Sequence, residues 1–166
     1  MRRMIFVSAG LAVFAVLVFS QMTFAADMLS GNWKLNLAKS KYSPANLTPK
    51  GGGTTKIETV QNGTKLVNDA VDSQNRKTHL EYTVVFDGKD VPVKATIDGK
   101  PSPDQDAIAW TKIDDYTYQN IAKLKGLALT TTRVVVSRDG KTRTNTVTGK
   151  NAQGETINNT VVYEKQ

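Results

Sequence analysis

The 166-residue chain is 39% hydrophobic and 22% charged, with one His and no Cys. That composition excludes a disulfide framework, a thiol nucleophile, a Cys-ligated metal centre, a lipoprotein anchor and a His-rich metal site. The formal charge of +7 raises the question of an anionic partner, and the length suits one domain.

Residues 1–25 read as a signal peptide. Arg2 and Arg3 supply the positive start, and Met4 to Phe19 is an apolar run broken only by Ser8 and Gly10. Cleavage after Ala25 places small residues, Thr23 and Ala25, at the positions export peptidases read. Removing 25 of 166 residues, Arg2 and Arg3 among them, leaves residues 26–166, a 141-residue domain of charge +5. No other stretch is apolar enough to span a bilayer as a helix. The expected location is periplasmic or extracellular. With no Cys there, core burial and a closed hydrogen-bonded sheet must hold the fold.

From residue 31 onward, β-branched and aromatic residues alternate between short turn signals. Asp-Gly-Lys occurs at Asp87, Asp98 and Asp139, and Asn62-Gly63 is a further hairpin signal. Asn and Asp followed by Gly accept the positive φ of tight hairpins. Ten strands are predicted, near 31–37, 54–61, 64–71, 78–86, 91–97, 106–113, 116–122, 127–138, 141–149 and 154–164. Residues 34–42 have room for one helical turn, and Pro92 suits a strand end or bulge. Such a meander closes into an up-and-down antiparallel barrel or leaves exposed edges. The expected class is all-β.

Alternation assigns faces. Leu80, Tyr82, Val84 and Phe86 share the inward face of one strand, with His79 and Glu81 opposite. Ile108 and Trp110 fall together, as do Ile157, Asn159, Val161 and Tyr163. Amides and hydroxyls mixed among apolar residues suit a lumen holding water or a small amphipathic ligand.

Leu29-Ser30-Gly31-Asn32-Trp33-Lys34-Leu35 resembles the Gly-x-Trp opening strand of the calycin superfamily, the lipocalins and fatty-acid-binding proteins. Thr160-Val161-Val162-Tyr163-Glu164-Lys165 resembles the closing strand of the fatty-acid-binding proteins, Thr-Arg-x-Tyr-Glu-Lys. Residues 31–44 also look like the start of exported, uncharacterised bacterial lipocalin-like proteins. The resemblance implies a barrel of about ten strands with a plugging Trp33. Two departures matter. The family's helical lid would fall near 38–53, where two prolines and Gly51-Gly52-Gly53 forbid it. The family's carboxylate-gripping Arg is Val161 here, so only Tyr163 carries over. Arg133, on a neighbouring strand, replaces the charge if it faces inward and is a surface residue if Val134 and Val136 do; the two faces are equally apolar.

Other chemistries find little support. His79 is outward and no serine sits in a nucleophile elbow. Asp98, Asp104 and Asp106 match no calcium-loop spacing, and Asp114-Asp115 reads as a turn. Basic residues are scattered among acidic ones without a nucleic-acid motif. The expectation is therefore a non-enzymatic monomer without cofactor, metal or nucleic-acid partner. It binds a small apolar or amphipathic molecule through Tyr82, Phe86, Trp110, Tyr163 and, if inward, Arg133. The alternative is a ligand-free envelope component acting through its outer surface.

Overall fold

The computed structural model describes residues 28–166, and the expected leader, 1–25, lies outside the described residues. No helix among the described residues is long and apolar enough to cross a membrane.

The chain forms β1 (Gly31–Leu35), β2 (Gly53–Val60), β3 (Gly63–Val71), β4 (Lys77–Val84), β5 (Asp87–Pro92) and β6 (Lys94–Ile97). It continues with β7 (Lys100–Pro101), β8 (Ala107–Lys112), β9 (Thr117–Leu124), β10 (Leu127–Val136), β11 (Thr142–Lys150) and β12 (Thr156–Lys165). All belong to one antiparallel sheet whose order is β5-β8-β9-β10-β11-β12-β1-β2-β3-β4-β6-β7. β12 returns to β1, pairing Leu35 with Tyr163. Toward the opposite edges lie β5 and β6, which Val93 alone separates along the chain. The segment 87–97 thus spans both edges and curls the sheet into a barrel.

That segment is where expectation and structure differ. A single strand was expected at 91–97. Instead the chain changes partner at Pro92, which has no N–H to continue a ladder. β5 pairs with β8, and β6 pairs with β4 from Thr78 to Glu81. Asp87-Gly88-Lys89 is therefore not a hairpin turn; its residues open β5, where the register shifts between Asp87 and Asp90. Asp98-Gly99 and Asp139-Gly140 do make tight turns, with positive φ at both glycines. Splitting one strand and adding the two-residue β7 turns ten expected strands into twelve.

Between β1 and β2 the chain makes only two single 3-10 turns, Leu37–Lys39 and Ala45–Leu47. No helical lid forms there, as the prolines and glycines dictate. Another irregularity shapes the wall: β10 bulges between Ala128 and Thr130. Gly149, opposite Thr130 on β11, has φ +134°, and a Cβ there would collide with the Leu129 carbonyl. Glycine is required at that close approach.

The core fills one end. Trp33, Leu29, Ile57, Tyr118, Val134 and Val136 are almost completely buried. Trp33 Nε1 donates to the Leu29 carbonyl at 2.8 Å, satisfying its N–H inside the core. Phe86, Trp110 and Tyr118 form a triangle continuous with this floor, with centroids 5.1–6.5 Å apart.

Candidate functional site

Above the aromatic triangle lies a cavity of about 240 Å³. Its wall draws on nearly the whole circumference, from Thr55 on β2 through Tyr82 on β4, Trp110 on β8 and Asn120 on β9 to Tyr163 on β12. A wider cleft of about 1070 Å³ lies at the mouth, among loops near residues 46–49, 72–76, 102–105 and 151–155. Asn68, Leu80 and Gln105 border both volumes, so they adjoin. Across the mouth, Gln153 Nε2 donates to Asp104 Oδ1 at 3.1 Å.

Tyr82, Trp110 and Tyr163 line the inner cavity. Their placement follows from the pleat: every second residue of a paired strand faces the lumen. Phe86 does not line it. It continues the inward face of β4 one step beyond the strand's end and packs on Trp110 and Tyr118 in the floor. Arg133 does not line it either. It is exposed on the outer face of β10, because Thr132, Val134 and Val136 turn inward and the two valines complete the buried core. The equal apolarity of the two faces hid this; packing against Trp33 and its neighbours decides it.

The lumen's arginine is Arg143, a residue that strand patterning left unassigned. On β11, Arg143, Asn145 and Val147 line the inner cavity while Thr142, Thr144 and Thr146 alternate with them. Arg143 stands opposite Tyr163 in the β11–β12 register. Its guanidinium carbon lies 4.1 Å from the Tyr163 ring centroid and 5.3 Å from that of Trp33. Nη2 donates to Thr55 Oγ1 at 3.0 Å, and Thr55 Oγ1 also accepts from Asn68 Nδ2 at 2.9 Å. Burial pushes the guanidinium pKa down from its ordinary range, opposed by the Tyr163 and Tyr82 hydroxyls; an arginine keeps its proton in proteins. Among the ion pairs of the described residues, none joins Arg143 to a carboxylate. Burial also pushes the Tyr82 hydroxyl well above its usual range, keeping it neutral. Val161, where the resemblance would place an arginine, pairs with Asn145, two residues along from Arg143. The cation sits one strand over.

The groups weighed for other chemistry take structural roles. His79 Nδ1 lies 2.8 Å from Asp69 Oδ1, and Nε2 lies 3.6 Å from Glu81 Oε2. Asp98 Oδ1 accepts from the Lys77 amide and Asp106 Oδ2 from the Lys125 amide, each at 2.8 Å. Asp114 Oδ1 accepts from the Tyr116 amide at 2.8 Å, as a turn residue does. No group of three or more His, Asp or Glu side chains is placed to hold a metal among the described residues.

No family model matches the chain, and no curated protein does. Among solved structures, it is similar to the zebrafish ileal bile acid-binding protein complexed with cholic acid. The TM-score is 0.51 at 16% identity, covering 84% of this chain and 99% of the zebrafish chain. The chain therefore has the fold of the calycin barrels, as its two terminal motifs imply.

Proposed function

We propose that the protein is an exported, non-enzymatic barrel that reversibly binds a small apolar or amphipathic molecule in its lumen. The observation that carries this reading is the inner cavity adjoining an open mouth. It offers aromatic and aliphatic walls for a tail and a few converging polar groups for a head, the usual composition of a ligand site. The inner volume alone is small for a drug-sized ligand, so the ligand extends into the cleft. The zebrafish neighbour holds cholic acid, which agrees with such a use of the fold. Tyr82, Trp110 and Tyr163 would touch the ligand; Trp33 and Phe86 support the floor. Export rests on the leader, and the secreted chain should begin at Ala26 by mass spectrometry.

The test is titration of the mature protein with phenylnaphthylamine, a neutral fluorescent probe, followed by displacement with amphiphiles. Saturable enhancement and displacement are expected. Without either, the barrel is filled by its own side chains, and action through the outer surface becomes the better reading.

A further inference from the structure

The outer wall of the barrel has two unlike halves. Across β1–β4 and β6, outward positions carry Lys34, Lys56, Lys65, Asp69, Glu81 and Lys94. Salt bridges lace this half, among them Lys56–Glu58 and Lys65–Glu81. Across β8–β12 charge almost disappears. The ladder registers set the outward residues of these strands in rows. One row, near the floor, runs Ile113, Thr117, Val135, Thr144 and Val162. The next row toward the mouth holds Arg133 between Gln119 and Thr146, and a third holds Thr131 between Ile121 and Thr148.

Single exposed hydrophobic residues are ordinary on a surface. Here Ile113 and Val135, 50% and 37% exposed, share one row. Depletion of charge marks the core of a protein interface, and arginine is the charged residue enriched there. Arg133 is the one charged side chain in these three rows. It is exposed and joins no salt bridge among the described residues. Asp114, exposed in the β8–β9 turn on the floor side of the apolar row, joins none either. Within one chain the two charges attract without pairing.

We propose that the outer face of β8–β12 is the interface of a reversible homodimer, two barrels packed wall to wall about a twofold axis that lies along the Ile113–Val162 row. Such an axis reverses mouth and floor between the copies. The apolar row packs on itself, sheet against sheet as in a sandwich. Arg133, one row toward the mouth, comes to face the floor side of the second copy. There Asp114 stands one strand to the side, about 5 Å away and within an arginine's reach. The contact is isologous, so this charge pair forms twice. Strands about 4.8 Å apart and rows about 6.7 Å apart give the face a footprint of about 500 Å². Two such faces bury about 1,000 Å², the low end for a specific interface, which suits a reversible pair rather than an obligate one. A neutral polysaccharide is a poorer occupant, because no aromatic side chain stands in these rows to stack on a sugar ring. Both mouths stay open at opposite ends of the pair, so the inference does not rest on lumen binding. The monomer expected from sequence would be one half of this pair.

Sedimentation velocity of the mature protein from about 1 to 200 µM tests it, and a monomer–dimer equilibrium should appear in that range. Far-UV circular dichroism checks that each variant keeps its sheet. Val135→Glu puts an unpaired charge on the axis and should shift the equilibrium toward monomer at least about tenfold. Thr83→Glu, exposed on β4 in the charged half, should leave it unchanged. Arg133→Asp and Asp114→Arg should each weaken self-association. Mixing those two variants should restore a dimer, since acid then meets arginine across the interface while the charges within each chain stay mismatched. Monomers at every concentration overturn the inference. A dimer indifferent to Val135→Glu, or a mixture that associates no better than its parts, places the contact elsewhere and also overturns it. So does a monomer whose Thr131, Thr146 and Thr148 amide resonances shift with cellohexaose, which would give the face to a neutral polymer.

Discussion

At the floor of the barrel, Trp33, Ile57, Tyr118, Val134 and Val136 are almost fully buried and the indole N–H of Trp33 is satisfied. At the mouth, loops carrying Asp72, Arg76, Asp104 and Gln153 surround about 1070 Å³ of open cleft. Between the two, Arg143 is buried with one nitrogen unpartnered. The same ladder of hydrogen bonds thus runs from a region built like a protein interior to one built like a surface. Stability concentrates where side chains exclude water, and binding capacity where they do not.

Trp33→Ala breaks the comparison most severely. Removing the largest floor side chain leaves a void and takes the indole donor from the Leu29 carbonyl, at a cost of about 3–5 kcal/mol. That is a large share of the roughly 5–15 kcal/mol a domain possesses. Urea denaturation should show a collapsed midpoint or an unfolded chain. A second pair of substitutions measures the gradient. Ile57→Ala, at the floor, should cost about 2–5 kcal/mol, whereas Leu80→Ala, on a wall that already faces open space, should cost less than about 1 kcal/mol. Equal costs in denaturant titrations would mean that the cavity is not open in solution.

Arg143→Met tests the middle of the gradient by the sign of its effect. A buried cation without a carboxylate partner is replaced by an apolar chain of similar length. Lost contacts to Trp33, Tyr163 and Thr55 oppose the gain, but such replacements are often neutral or stabilising. The expected outcome is a gain of about 1 kcal/mol in denaturant titration. A loss of comparable size would make Arg143 a structural pillar rather than a group held ready for a ligand.

Much of this gradient could be read from residues and some could not. Turn pairs such as Asn62-Gly63 and Asp139-Gly140 marked hairpins because their backbone demands are local. Gly31, Trp33 and Tyr163 marked the two strands that meet at the seam. The break at Pro92 was harder, since Asp87-Gly88-Lys89 has the chemistry of a turn but sits at a register shift within a strand. Arginine placement was harder again. Thr132, Val134 and Val136 could exchange faces with Thr131, Arg133 and Val135 with little change in apolarity, so only contact with the floor selects the first set. Arg143 needed the β11–β12 register that sets it opposite Tyr163, and register between strands is a tertiary property.

The smallest expected effect lies at the mouth and depends on pH. Asp72 organises the β3–β4 loop: Oδ1 accepts from the Gln74 and Arg76 amides, each at 2.9 Å, and Oδ2 meets the Arg76 side chain at 2.7 Å. Burial alone would raise its carboxyl, but the hydrogen bonds from Arg76 and Gln74 outweigh it and hold the pKa below the ordinary 3.8. The charged form is therefore favoured by folding. Its stabilising contribution is complete above the unfolded-state value and disappears as pH falls through the lower folded-state value. Asp72→Asn should cost about 0.2–1 kcal/mol near neutrality, and that difference from the unmodified chain should vanish on acidification well below 3.8. Thermal melts of both chains across this range measure it. The fully buried floor residues named above bear no carboxylate, so acid reaches this loop without acting directly on them. A constant difference at every pH would instead assign the effect of Asp72 to loop packing rather than to its charge.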